Sequence, residues 1–210
     1  MLFAAAGLIL AYLLGSIPTA VWVGKFFYGV DVRDEGSGNA GATNTIRVLG
    51  LKAGIPVIIV DILKGYFAVW LMQYFVPVVW DADANTYYQI VAGLLAVVGH
   101  TLPVFAGFRG GKGVATLLGV GIALYGNAVL LSIVVFVTVI SLTRYVSLGS
   151  MLAGIAFPLV VTLYYHETNP GLIALSLFAA LFLIWTHRKN IGRLLKGKEN
   201  KFSFKKSKKE

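Results

Sequence analysis

Residues 114–143 read VATLLGVGIALYGNAVLLSIVVFVTVISLT, thirty residues without a charge. One membrane crossing takes about 20 residues, with a range of about 17–25. The stretch is too long for one span, and Gly126-Asn127 near its middle is a turn dipeptide. The flanking cations arbitrate, because Lys and Arg gather on the cytoplasmic side. A single crossing would set Arg144 opposite Arg109 and Lys112, and the basic C-terminal tail opposite the basic loop 24–52. Two crossings, turning at Gly126-Asn127, place Lys25, Arg33, Arg47, Lys52, Arg109, Lys112, Arg144 and the ten tail cations together, seventeen of eighteen, with Lys64 near the same side. The opposite loops then carry Asp81, Asp83 and Glu167 and no Lys or Arg. The spacing therefore predicts two short helices, 114–125 and 128–143.

Working outward, the other apolar stretches are 2–23, 53–79, 90–106, 148–165 and 171–186. The fold class expected is all-α: a polytopic membrane protein with seven transmembrane helices, N-terminus outside and C-terminus inside. The two short helices reach only about 18 and 24 Å at about 1.5 Å per residue, against a core of about 30 Å. The first stretch has no basic leader and reads as a retained span rather than a signal peptide. Asp61 and Lys64, three apart in an apolar run, are read as a structural pair; alternatively span two starts after Gly65 and 51–63 lies shallow. Residues 1–201 are expected to form one membrane-embedded domain and 202–210 a basic cytoplasmic tail.

Composition agrees with the class. The 210 residues are 58% hydrophobic and 13% charged, with no cysteine and a mean hydropathy of +0.80. That charge density is about half that of soluble domains, which excludes an ordinary soluble enzyme, a disulfide scaffold and a disordered chain. The net charge of +9 is a tail property, because residues 188–210 hold ten basic and two acidic groups. Such a tail anchors to anionic membrane lipids, and no nucleic-acid partner is expected.

Polar, glycine-rich segments interrupt the apolar chain, all on the predicted inside face. The first runs Gly36-Ser37-Gly38-Asn39-Ala40-Gly41-Ala42-Thr43-Asn44-Thr45-Ile46-Arg47. Its glycines allow backbone N–H groups to converge on an anion. A helix is expected from near Asn39 to Gly50, with Thr43, Asn44 and Arg47 on one face. The second, Gly110-Gly111-Lys112-Gly113 followed by Thr116, opens the fourth span. It combines backbone donors, a helix N-terminus and a cation, a phosphate or oxyanion cradle. It is not a Walker A loop, since Ala106 and Gly113 depart from that pattern. The third, Arg144-Tyr145-Val146-Ser147, places Ser147 as a helix cap. Finally His187 and Asn190 share a face where span seven meets the tail. His100 is expected to be a packed or hydrogen-bonded residue, and His166 has no role.

There is no His-x-x-x-x-Asp acyltransferase box, no zinc motif, no nucleophile elbow and no cysteine. No metal or cofactor is expected. What remains is cations, hydroxyls, amides and nests, a set suited to positioning anionic, already activated substrates.

Together the Gly-Ser-Gly-Asn-x-Gly-Ala-Thr-Asn…Arg block, the Gly-Gly-Lys-Gly-x-Ala-Thr block, the Arg-Tyr-x-Ser block and the His187-Arg-Lys-Asn190-Ile-Gly-Arg-Leu ending resemble the bacterial integral-membrane acyl-phosphate:glycerol-3-phosphate acyltransferases. The resemblance implies transfer of a fatty acyl group from acyl phosphate to the 1-hydroxyl of sn-glycerol 3-phosphate, giving lysophosphatidate and phosphate, the first step of phospholipid biosynthesis. It implies a site on the cytoplasmic face of the bacterial inner membrane and no cofactor, and the chain is expected to act as a monomer. Carried over by position, the catalytic set is Lys112, Ser37, Arg47, His187 and Asn190. The substrate-binding set is Gly36, Gly38, Asn39, Gly41, Thr43, Asn44, Gly110, Gly111, Gly113, Thr116 and Ser147. The general base is either His187 or, preferred here, the phosphate of the substrate. The alternative function is a membrane anion or phospholipid transporter using the same nests.

Overall fold

The computed structural model describes residues 2–76 and 82–202. Asp81, the side chain of Asp83 and the tail from residue 203 onward, which enter the charge argument above, lie outside the described residues. Among the described residues all regular structure is helical. The chain forms two compact units, the first running to Leu124 and the second beginning at Tyr125.

In the first unit, α1 (Leu2–Gly15) and α2 (Thr19–Tyr28) replace the single span expected over 2–23. They are bent by 45° at Ser16-Ile17-Pro18, because Pro18 has no N–H to continue the hydrogen-bond ladder. Next come α3 (Ala42–Leu49) and α4 (Leu51–Trp70), the latter extended by a 3-10 turn over Leu71–Tyr74. Helix α4 is continuous through Asp61 and Lys64, so span two does not start after Gly65. Helix α5 (Ala82–Thr101) begins earlier than the apolar stretch 90–106, taking in the polar residues before it. Helix α6 (Val114–Tyr125) has the bounds expected of the first short helix.

Small residues bring these helices together. A side chain added at Gly15 would overlap the backbone of Ala96, and one at Gly99 the carbonyl of Tyr12, so α1 and α5 touch backbone to backbone. Gly65 of α4 lies against the Thr116 carbonyl, and Gly119 of α6 against the Ile62 carbonyl. Between apolar helices in lipid, such close approach supplies the van der Waals contact that holds a bundle. Around Ala11, Ala68, Met72, Ala92 and Ala96 it closes a core. We expect Gly65→Ala to force α4 from α6 and to destabilise the protein by about 1–3 kcal/mol. An unchanged melting temperature in detergent would contradict that contact.

In the second unit, α7 (Ala128–Thr143) and α8 (Val146–Leu159) pair through the turn at Arg144, which has φ +62°. The bounds of α7 are those expected of the second short helix. A π-helical turn over Val160–Tyr164 follows α8. Helix α9 (Pro170–Thr186) starts on Asn169, whose side chain accepts from the N–H groups of Gly171 and Leu172, with Pro170 in the first turn. It packs on α8, where Gly154 faces Leu183. After a bend of 58° comes α10 (Arg188–Leu195), a helix within the basic stretch that follows the last apolar run.

Among the described residues, three helical stretches are long and apolar enough to cross a membrane, Leu51–Tyr74, Ala84–Ala106 and Val146–Tyr164. The bent pairs α1–α2 and α9–α10 bring the number to five if each is one span, and α6 and α7 are shorter apolar helices.

Candidate active site

The first glycine-rich segment is held from both ends. At its start, Arg33 donates from Nε and Nη2 to the Asp31 carboxylate, at 2.7 Å for the Nη2 bond, and Lys25 pairs with the same carboxylate at 3.1 Å. The hydrogen bond from Arg33 holds the Asp31 carboxyl far below the usual range, and bonding to Asp31 raises the Arg33 guanidinium. Arg33 Nη1 also donates to the Ala106 carbonyl at 2.8 Å. One side chain thus ties the first segment to the loop that precedes the second.

At its other end, buried Asn44 clasps the loop. Its amide Nδ2 donates to the carbonyls of Val32 (2.6 Å) and Glu35 (3.1 Å), and its Oδ1 accepts the Ser37 N–H (2.8 Å) and a longer bond from Arg47 (3.5 Å). Both amide hydrogens are therefore engaged by the protein backbone. Gly36 and Gly38 take φ +63° and +71°, which winds the chain over the Asn44 amide. That winding delays the helix from the expected start near Asn39 to Ala42, with Gly41 as its cap. Ser37 and Gly38 are exposed, Asn39, Thr43 and Arg47 half-buried. The structure thus groups Ser37, Asn44 and Arg47 around one amide.

The second segment folds back on the end of α5. Gly110 N–H donates to the Thr101 carbonyl and Gly111 N–H to the His100 carbonyl, both at 3.1 Å. These two donors, expected to face an anion, close the loop instead. The donors that have no intrahelical acceptor are those of the first turn of α6. Both glycines are required by close approach: a side chain at Gly110 would overlap the His100 carbonyl, and one at Gly111 the His100 ring. Gly113 has φ +79°. Lys112 is half-buried between them. Thr116 is 0% exposed, and among the described residues its hydroxyl has no hydrogen-bond partner. It packs α6 on α4.

In the second unit Ser147 is not the cap. Tyr145 occupies that position, and the Ser147 hydroxyl donates to Glu199 Oε1 at 2.8 Å. Asn190 Nδ2 donates to the same oxygen at 2.6 Å, and Arg193 Nε to Oε2 at 2.7 Å. Burial pushes the Glu199 carboxyl up, but the bonds from Asn190, Arg193 and Ser147 outweigh it and hold the group below its usual range. Glu199 was not foreseen; its signal is a lone acid among the cations of 188–201. His187 is buried, and its Nδ1 lies 2.8 Å from the Leu183 carbonyl. A carbonyl only accepts, so Nδ1 carries a proton. Arg47, Lys112, His187 and Asn190 make further interactions beyond these. His100 is packed, as expected, with Nδ1 3.7 Å from Asp61.

Apolar helices interrupted by polar glycine-rich turns, which buried side chains fix, are the marks of an integral membrane protein. Residues 5–197 match the family model described as Glycerol-3-phosphate acyltransferase. A glycerol-3-phosphate acyltransferase of Fusobacterium nucleatum is 45% identical over 94% of this chain and 97% of its own. Glycerol-3-phosphate acyltransferase 2 of Bacillus anthracis is 52% identical over 92% and 96%. A crystal structure of PlsY (YgiH), an integral membrane glycerol 3-phosphate acyltransferase, in its glycerol 3-phosphate form superposes with a TM-score of 0.83 at 39% identity, covering 95% of this chain and 96% of that one. Its lysophosphatidic acid form superposes at 0.81. The chain belongs to the glycerol-3-phosphate acyltransferase family. It is an acyltransferase of lipid biosynthesis, and the transporter alternative falls.

Proposed function

We propose that the protein transfers a fatty acyl group from an acyl phosphate to the 1-hydroxyl of sn-glycerol 3-phosphate. The products are lysophosphatidate and inorganic phosphate. The observation that carries this reading is the pair of solved relatives, one in a glycerol 3-phosphate form and the other in a lysophosphatidic acid form, an acceptor and its acylated product. The donor is the one the family resemblance implies, and the residues support it: cations, nests and no cysteine nucleophile suit an acyl group that arrives already activated.

The hydroxyl oxygen attacks the acyl carbon, a new ester C–O bond forms, and the C–O bond to phosphate breaks. The hydroxyl proton passes to phosphate, which serves as the general base. Ser37, Thr43, Lys112, the glycines 36, 38, 41 and 113, and the first turn of α6 take the acyl phosphate head. Asn44 holds that loop in shape. For the glycerol phosphate, the resemblance assigns Arg47 and Lys112 of the first unit and Ser147, His187 and Asn190 of the second. The seven-crossing topology, with 1–201 as one membrane-embedded domain and the site on the cytoplasmic face of the inner membrane, rests on the cation asymmetry and on the helices α6 and α7. A monomer needs no further partner.

Purified protein given palmitoyl phosphate should release phosphate only when glycerol 3-phosphate is added, with lysophosphatidate appearing in equal amount. Release that ignores the acceptor would overturn the reading. His187→Ala should raise the glycerol-phosphate KM with a modest fall in kcat. A kcat collapse at unchanged KM, rescued by imidazole, would make His187 the base instead.

A further inference from the structure

The first unit buries charges that the reaction does not use. Asp61 and Lys64 are 2% and 4% exposed, one turn apart in α4, with Nζ to Oδ1 at 2.8 Å. Lys64 also donates to the Ile17 carbonyl at the break between α1 and α2, at 2.9 Å, and Thr19 donates to Asp61 Oδ1 at 3.2 Å. His100 completes the cluster from the end of α5, its Nδ1 facing the same carboxylate oxygen. A cavity of about 10 Å³, lined among others by Thr19, Ala40, Asp61, Lys64, His100 and Gly110, has the size and the polar walls for one water.

A buried ion pair is poor evidence for stability, since apolar residues of the same volume do as well. Ionisable groups at membrane depth are expensive and are retained where they serve the site. The position of this cluster shows what it serves. The His100 carbonyl accepts the Gly111 N–H. The ring fills the space that a side chain at Gly111 would need, and the Ala40 carbonyl closes the same space from the first segment. The two glycine-rich segments therefore meet over His100, and the Asp61 carboxylate faces the ring from below, 3.7 Å from Nδ1.

We infer that the Asp61–Lys64–His100 cluster is a positioning element for the Gly110–Gly113 loop, setting where Lys112 and the first turn of α6 stand. The inference rests on the proposed role of that loop in binding phosphate. His100 acts through Gly111, and Asp61 through His100. Neither touches substrate.

The test is coupling between His100 and Gly111, read in kcat and in both KM values by phosphate release in detergent, alongside melting temperature. Gly111→Ala should lower kcat/KM about 10- to 100-fold, the loss expected when a catalytic group shifts by about an ångström. His100→Gln should lower it while leaving the melting temperature near that of the parent, since the amide keeps a donor toward Asp61. In the double variant the flexible glutamine yields to the new methyl, so kcat/KM should match that of the worse single variant. Losses that multiply would overturn the inference, as would a His100→Gln enzyme with all constants within twofold of the parent. If Gly111→Ala fails to fold, His100→Ala and His100→Gln are compared instead. A larger change in either KM in His100→Ala than in His100→Gln supports the inference, and equal constants refute it. Lys112→Ala serves as the control for the underlying reading. Parental turnover there removes the role of the loop, whereas inactive Lys112→Ala beside normal His100 variants removes this inference alone.

Discussion

Lys112→Ala is expected to lower phosphate release from palmitoyl phosphate and glycerol 3-phosphate by about 10²–10³-fold, the loss typical of removing one oxyanion donor. The tetrahedral intermediate places a negative charge on the former carbonyl oxygen, between two substrates that are themselves anionic. An ammonium held at that point lowers the barrier most where water is scarce. The loop that carries Lys112 supports this proposed role. Gly110 and Gly111 are hydrogen-bonded back to the end of α5, so the loop is rigid immediately before Lys112. Gly113 is at φ +79°, which turns the chain into α6 immediately after it. Lys112→Arg should recover only a small part of the activity, because a planar fork does not occupy the place of a compact ammonium. Turnover of Lys112→Ala within a few-fold of the parent would remove Lys112 from the mechanism.

The second large effect concerns Glu199. Its two oxygens gather Ser147, Asn190 and Arg193, and Phe202 N–H beyond it donates to the Arg144 carbonyl at 2.7 Å. Glu199→Ala leaves the Ser147 hydroxyl and the Asn190 amide without this acceptor, a penalty of about 1–3 kcal/mol. If it falls on the transition state, turnover drops about 5- to 150-fold. Glu199→Gln should keep the shape, lose the charge toward Arg193 and fall between. The pH dependence has a definite sign. The folded carboxyl is held below its ordinary value, so its contribution is complete above the unfolded pKa of about 4.3. It is lost as pH falls through the depressed folded value. Protease cleavage within 196–201 should therefore stay constant from neutral pH to about pH 5 and rise only below the ordinary carboxylate range. Cleavage that rises between pH 7 and pH 5 would contradict the ion pair.

The parts of this molecule most legible from residues alone were those set by long-range constraints. Helices α6 and α7 follow from a thirty-residue apolar run with one turn dipeptide, and their ends at Val114, Tyr125, Ala128 and Thr143 fall where read. Pro18 was visible, yet the kink was missed because apolar character continues through it while the hydrogen-bond ladder does not. The late start of α3 was hidden for a different reason. Asn44 looks like a polar residue on a helix face, and only the fold shows that its amide binds Val32, Glu35 and Ser37. The glycines of 110–113 were read as donors to a ligand. Two of them are there because His100 leaves no room for a side chain. Glycine records that something comes close, but not what. Glu199 was passed over because a tail of net positive charge reads as an anchor, and because Ser147, one of its three partners, lies 52 residues away in sequence.

The pairing of α1 with α5, through Gly15 on Ala96 and Gly99 on Tyr12, has a consequence for how the protein is made. Roughly eighty residues separate the two helices, and at about 5–20 residues per second the ribosome takes about 4–16 s to deliver the second after the first. Part of the stripe buried in the finished protein finds its partner earlier, since Gly7 rests on Met72 and Phe75 and Ala11 packs with Ala68 and Met72. The N-terminal helix of this unit therefore gains its neighbours in two stages, α4 first and α5 second. Only the backbone-on-backbone seat of Gly15 on Ala96 and of Gly99 on Tyr12 waits for α5 to arrive.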